Sequence, residues 1–201
     1  MSFHPTMSYG ATFHRSSRTL MDQGEPFAYT ADRLARFEEI VRRYPPEQRR
    51  SAVLPALYLV QHQQGYITAN AMRYVAGLLG ITPADVEDVV SYYTMFFTRP
   101  VGTFVLSVCR TLSCALNGAE RVTEEIRHAL GIAPGETDAT GTFTLLEVEC
   151  LGACDRAPVI MINDAWQECQ RPEDVRRLLD DLRVRGEAAL TGCHHVAEPK
   201  A

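Results

Sequence analysis

An α+β chain is predicted: an N-terminal helical bundle followed by a smaller domain in which strands and helices alternate. Three observations predict it. Four amphipathic helical stretches follow one another in the first half, and the pattern then changes to short β-branched runs beyond Pro100-Val101-Gly102. The third is a set of four cysteines in two close pairs, each pair just past a predicted strand end. Cys109 and Cys114 enclose four residues, Cys150 and Cys154 enclose three, and 35 residues lie between the pairs.

The first helix is expected over Ala31–Arg43, with Thr30 as its N-cap, Asp32 in its first turn and Pro45-Pro46 as its stop. Leu34, Phe37, Val41 and Tyr44 form its apolar stripe. The second runs from about Glu47 to Gln63 and closes at Gly65, with Val53, Leu54, Leu57, Tyr58 and Gln61 on one face. Pro55 either bends it or falls in its first turn. Thr68 caps the third, where Met72, Val75, Ala76 and Leu79 recur before Gly80. The fourth opens on Thr82-Pro83-Ala84-Asp85: a capping threonine, a proline at the first helical position and a carboxylate on the helix dipole.

In the second part, Thr103–Val108 reads as a strand ending at Cys109, and a helix follows over Leu116–Leu130. Phe143–Val148 is the second strand, Pro158–Ile162 the third, and the segment around Trp166–Cys169 a fourth. Pro172, with Glu173 and Asp174 behind it, opens a last helix to about Arg185. The resulting β-α-β-β-α order is expected to fold in three layers. The domains expected are a flexible tail over 1–29, the bundle over 30–98, the cysteine-bearing domain over 99–188 and a second tail over 189–201. The stretch up to Met21 has no acidic residue and several Ser, Thr and Arg, so a targeting segment is the alternative to the first tail.

Composition narrows the function classes. At 201 residues, 46% hydrophobic and 22% charged, the chain can bury a core. A net charge of −5 with no Lys/Arg run argues against a general nucleic-acid binder. The longest apolar run, Ala52–Val60, is too short to span a bilayer, so no direct membrane insertion is expected. Without an export signal, clustered cysteines bind metal or do redox chemistry more often than they form a disulfide framework.

Four thiolates from two tight loops hold either one tetrahedral zinc or one iron–sulfur cluster. Two pairs match a 2Fe–2S core, in which each iron takes two thiolates. Single zinc knuckles more often place two residues between their cysteines. Gaps of three and four suit a larger core that needs backbone N–H groups turned toward it. Gly152 would let the main chain approach, and Thr111 and Ser113 would add hydroxyl donors. Structural zinc, a redox disulfide and inert thiols stay open on spacing alone.

The strings around the cysteines carry a resemblance. Ser91-Tyr92-Tyr93-Thr94-Met95-Phe96, Pro100-Val101-Gly102, Cys109-Arg110-Thr111-Leu112-Ser113-Cys114, Glu149-Cys150-Leu151-Gly152-Ala153-Cys154-Asp155 and Ala157-Pro158 together resemble the small flavoprotein components of NADH:quinone oxidoreductases (respiratory complex I), known as their E subunits. Ser51–Leu57 and Gln64-Gly65-Tyr66-Ile67 extend the likeness into the helical part, and it runs from about residue 33 to 183. The resemblance implies a helical bundle followed by a thioredoxin-like domain that holds one 2Fe–2S cluster. It implies Cys109, Cys114, Cys150 and Cys154 as the ligands.

It also implies a non-catalytic electron-transfer subunit with no active site of its own, exchanging an electron with the FMN of a partner flavoprotein subunit that binds NADH. The larger iron–sulfur subunit of the same complex is a further expected partner. The expected location is cytoplasmic, on the inner face of the cell membrane, or the matrix side in a eukaryote. The chain carries no Gly-rich dinucleotide fingerprint after a strand, which fits NADH and FMN being held by the partner. Small subunits of NAD-linked formate dehydrogenases and bidirectional hydrogenases are similar, as are free thioredoxin-like ferredoxins. Thr140-Gly141, Tyr92 and Trp166 depart from the commoner family residues at packing or turn positions.

Outside that pattern, Cys169, Cys193, His194 and His195 read as idle rather than as a second metal site, with Cys169 expected as a small buried residue on the last strand. Tyr92, Tyr93, Phe96 and Phe97 read as packing, with a partner interface as the alternative. Glu147, Glu149 and Asp155 around the second pair would disfavour adding an electron, and solvated surface charge explains them equally well.

Overall fold

The computed structural model describes residues 26–190, which divide into two compact units that part between Pro100 and Val101. The two predicted tails lie largely outside the described residues, as do Cys193, His194 and His195.

The first unit holds helices α1 (Ala31–Val41), α2 (Val53–Gln64), α3 (Ala69–Leu79) and α4 (Pro83–Tyr92), with a 3-10 segment over Pro46–Ala52. The second expected helix is therefore two elements. Gln48, at φ −110° and ψ 19°, breaks the early part, and Pro55 falls in the first turn of α2, where its missing N–H costs nothing. The predicted face of α2 is also displaced. Ala56, Leu57, Leu59 and Val60 are the buried residues, because the helix is apolar nearly all round and its neighbours select the face.

Gln61 does something other than pack. Its amide donates to the Met95 carbonyl and accepts from the Phe97 N–H, both at 2.8 Å, and so ties the segment after α4 to α2. The Thr68 hydroxyl accepts from Ala71 N–H, and Thr82 and Asp85 form a complete capping box. The Thr30 side chain makes no cap bond; instead its backbone N–H reaches Gln63. Of the four aromatic residues, Phe96 is core and packs edge-on to Tyr58, whereas Tyr92 is 78% exposed.

The second unit contains β1 (Phe104–Cys109), α5 (Leu112–Leu116), α6 (Ala119–Leu130), β2 (Phe143–Val148), β3 (Ile160–Ile162), β4 (Ala165–Gln167) and α7 (Val175–Arg185). The sheet order is β2-β1-β3-β4, with β1 parallel to β2 and antiparallel to β3, and β3 antiparallel to β4. The expected helix over Leu116–Leu130 is interrupted at Asn117-Gly118, where Gly118 takes φ +91°. A short helix carrying Cys114 precedes the break. α6 and α7 pack against each other, so two layers form where three were expected. One amphipathic helix can bury its stripe against the sheet and its flank against the other.

Register explains the clustering. Phe104 pairs with Phe143 and Cys109 with Val148, so β1 and β2 end at one edge of the sheet. β3, running the other way, starts at that edge. The core is Leu106, Val108, Val122, Ile126, Phe143, Leu145, Ile160, Ile162, Leu179 and Leu182, all nearly fully buried. Among the described residues no helix is long and apolar enough to cross a membrane.

Candidate metal centre

Cys109 is the last residue of β1 and Cys114 lies on α5; both are buried. Cys150 follows β2 by two residues and Cys154 opens a 3-10 turn; both are exposed. Parallel pairing of β1 with β2 therefore delivers the two cysteine segments to one place, although the first is a strand end and a helix rather than a loop. Arg110 N–H bonds to the Val148 carbonyl at 3.0 Å, and the Arg110 guanidinium reaches Glu149 Oε1 at 3.0 Å. Each partner of that ion pair neighbours a cysteine, so the pair clips the two segments together.

The sulfurs stand as two pairs. Cys150 Sγ and Cys154 Sγ are 3.4 Å apart. Two thiolates on one tetrahedral metal, each about 2.3 Å from it, stand about 3.8 Å apart, so this pair is close to a chelating geometry. Cys109 and Cys114 stand close enough for each to shift the ionisation of the other. Among the described residues no group of three or more His, Cys, Asp and Glu is gathered around a single point as ligands of one ion.

Local electrostatics splits each pair. Burial pushes the Cys114 thiol up to about 11, and the adjoining Cys109 adds to the rise. Burial opposes ionisation of Cys109 too, yet the hydroxyl and N–H of Thr111 and the N–H of Leu151 outweigh it and hold that thiol below its usual range. The Gly152 N–H, the Cys154 thiol and the Thr111 hydroxyl lower Cys150, whereas the hydrogen bond and charge of Cys150 raise Cys154. Each pair thus has one thiol that readily ionises and one that resists, as expected where two like charges share a site.

Of the two hydroxyls expected near the first pair, that of Thr111 is there, whereas that of Ser113 serves the second pair. Thr111 Oγ1 lies 3.3 Å from Cys109 Sγ, and the Ser113 side chain acts on Cys154. Gly152 N–H points at Cys150 Sγ at 3.4 Å. The need for glycine there is a matter of backbone sign rather than of room: φ is +84°, and a Cβ would meet nothing within 4 Å.

Two expectations are corrected. Cys169 is exposed, lies beyond β4 and takes φ +51°; its N–H bonds to the Arg156 carbonyl at 2.8 Å, so a turn rather than a strand holds it. The acidic groups are also partly neutralised, with Glu149 on Arg110 and Asp155 3.6 Å from Arg156, so the negative field expected from them is reduced. Sequence reasoning missed the roles of Arg110 and of the Leu151 N–H, since neither has a signature until the strands pair.

Comparison with known proteins identifies the family. The thioredoxin-like 2Fe–2S ferredoxin family matches residues 37–183. The NADH-quinone oxidoreductase E subunit of Mycobacterium tuberculosis is 42% identical over 165 residues, covering 80% of this chain and 65% of that protein. The chain thus spans about two thirds of the length of that relative. NADH-quinone oxidoreductase subunit 2 of Thermus thermophilus is 42% identical over 167 residues, with 80% of this chain and 92% of the relative covered. A solved NAD+-reducing NiFe hydrogenase in the H2-reduced state shares the fold at 18% identity and a TM-score of 0.59, covering 67% of this chain and 22% of that one. With the motif strings, the paired thiols and the family match in agreement, the chain belongs to the thioredoxin-like 2Fe–2S ferredoxins.

Proposed function

We propose that this chain is the electron-transfer subunit of an NADH dehydrogenase of the NADH-quinone oxidoreductase type. As a member of its family it carries one 2Fe–2S cluster, a one-electron carrier when bound. Cys109, Cys114, Cys150 and Cys154 are the residues proposed to hold it. What supports this reading is that the paired strands β1 and β2 end together, next to the two cysteine segments, and that the Cys150 and Cys154 sulfurs are 3.4 Å apart. The chain's own part is to supply four sulfurs, to turn the N–H groups of Leu151 and Gly152 toward them, and to hold the first pair away from water. The donors favour the more negative, reduced state.

NADH and FMN fall to a partner flavoprotein subunit in this reading, since among the described residues no phosphate-binding glycine loop follows a strand. The larger iron–sulfur subunit is a second partner, and the location is peripheral, on the inner face of the membrane. The identity near 40% to NADH-quinone oxidoreductase subunits supports this assembly over the hydrogenase, whose likeness is one of fold.

Purification of the full chain tests the cofactor. Expected are about two irons per chain and visible absorbance that bleaches with dithionite, lost in Cys150→Ser while the far-UV helical signal persists. A colourless protein with one zinc refutes the reading. Affinity capture of the tagged chain from cell extract tests the assembly, with a flavin-containing protein expected alongside; a lone monodisperse species refutes it.

A further inference from the structure

Helix α5 has a threonine at its N-cap whose hydroxyl does not cap it. Thr111 has the extended backbone of an N-cap, φ −78° and ψ 172°, and its carbonyl accepts the first helical bond from Ala115 N–H at 2.9 Å. At the same position of α3 and α4, the hydroxyls of Thr68 and Thr82 accept from their own helices, each at 3.2 Å. Capping is the ordinary use of a threonine there. Thr111 forgoes it, and its Oγ1 lies 3.3 Å from Cys109 Sγ. That sulfur is one of the proposed cluster ligands, so the hydroxyl serves the site and not its own helix.

We infer that Thr111 is a positioning residue that sets the reduction potential of the cluster, its hydroxyl spent on a ligand sulfur instead of on its helix. This deepens the proposed function and rests on its assignment of the four ligands. In the free thiol either atom of the Thr111–Cys109 contact can donate. A metal-bound thiolate has no proton, so the threonine must then be the donor. Reduction places one more negative charge on the cluster. An O–H aimed at a ligand sulfur favours that state more than the oxidised one and raises the potential. Because the helix does not use the hydroxyl, its removal should leave the helix as it is.

The experiment uses the full chain purified with its cluster, as wild type and as Thr111→Val, Thr111→Ala and Thr111→Ser. Iron content, far-UV spectrum and an EPR-monitored redox titration are recorded for each. Val and Ala should retain iron and helix but lose about tenfold in the reduction equilibrium, a fall of about 59 mV for a one-electron couple. Ser, which keeps the hydroxyl, should stay near wild type. Unmoved potentials in Val and Ala overturn the inference, as does a Ser variant that falls with them. Loss of iron in both Val and Ala also overturns it, by showing that the hydroxyl retains the cluster rather than tunes it. A wild-type chain without a two-iron centre overturns the ligand assignment itself, whereas an intact wild-type centre with unmoved variants overturns the role of Thr111 alone.

Discussion

Replacing Gly102 with alanine should cost the second unit about 3 kcal/mol. Gly102 is not in the left-handed region, so it is not there for its backbone angle. It is there for room: a Cβ would stand 2.7 Å from the Phe143 carbonyl carbon, 2.8 Å from Phe143 N and 2.8 Å from the Thr142 carbonyl oxygen. All three are backbone atoms, so no rotamer change relieves the clash, and the β1 and β2 ends must part. They are pinned by Phe104 N–H on the Thr142 carbonyl at 2.8 Å and by Gly102 N–H on Thr144 Oγ1 at 2.6 Å. Overpacking costs about 1–3 kcal/mol, and stranding a buried backbone donor adds about 1–3. Some relaxation brings the total to about 3 kcal/mol, or a fall of about 2 M in urea midpoint at a slope of about 1.5 kcal/mol/M. Trp166 on β4 is the only tryptophan of the chain, so its fluorescence reads this unit. A midpoint lowered by less than about 0.3 M, with the slope unchanged, would refute the reasoning.

Gly77, on α3, offers the opposite sign. A Cβ there meets nothing within 4 Å, so Gly77→Ala should stabilise the helical unit by about 0.5–1 kcal/mol, read as a higher midpoint in far-UV circular dichroism. In the reduced, metal-free protein near neutral pH, iodoacetamide should modify Cys150 first among the four clustered thiols and Cys114 last. Cys150 is exposed and held low, whereas Cys114 is buried and pushed up to about 11; peptide mass spectrometry over time gives the order. Hydrogen bonds from the Thr82 side chain and backbone hold the Asp85 carboxyl below its ordinary range, so its contribution is present above the unfolded pKa of about 3.9 and is lost as pH falls below it. Acid titration of the helical unit's urea midpoint should show a fall below about pH 4 that is smaller in Asp85→Asn.

Much of the site could be read from spacing and flanking strings because its chemistry is local. A cysteine four or five positions from another already constrains where both sulfurs can go, and a glycine between Cys150 and Cys154 already permits a left-handed turn. The four strands and the last helix were legible for the same reason, since period-two and period-3.6 patterns are properties of short windows. Errors came where a window was ambiguous. α2 is apolar nearly all round, so its buried face was set by neighbours distant in sequence. The helix expected over Leu116–Leu130 starts only at Ala119, after the break at Asn117-Gly118.

Cys169 was expected on a strand, and it sits in a turn because Arg156 supplies a carbonyl for its N–H. The chain's letters were enough to establish the donor chemistry: four thiols, hydroxyls beside them, and a backbone able to bend close. Only folding decided which of these groups meet. Parallel pairing of β1 and β2 brings Arg110 to Glu149 and the Leu151 N–H to Cys109. Those contacts join residues some forty positions apart, and no local preference encodes them. They exist because two strands with a shared hydrophobic register must lie side by side.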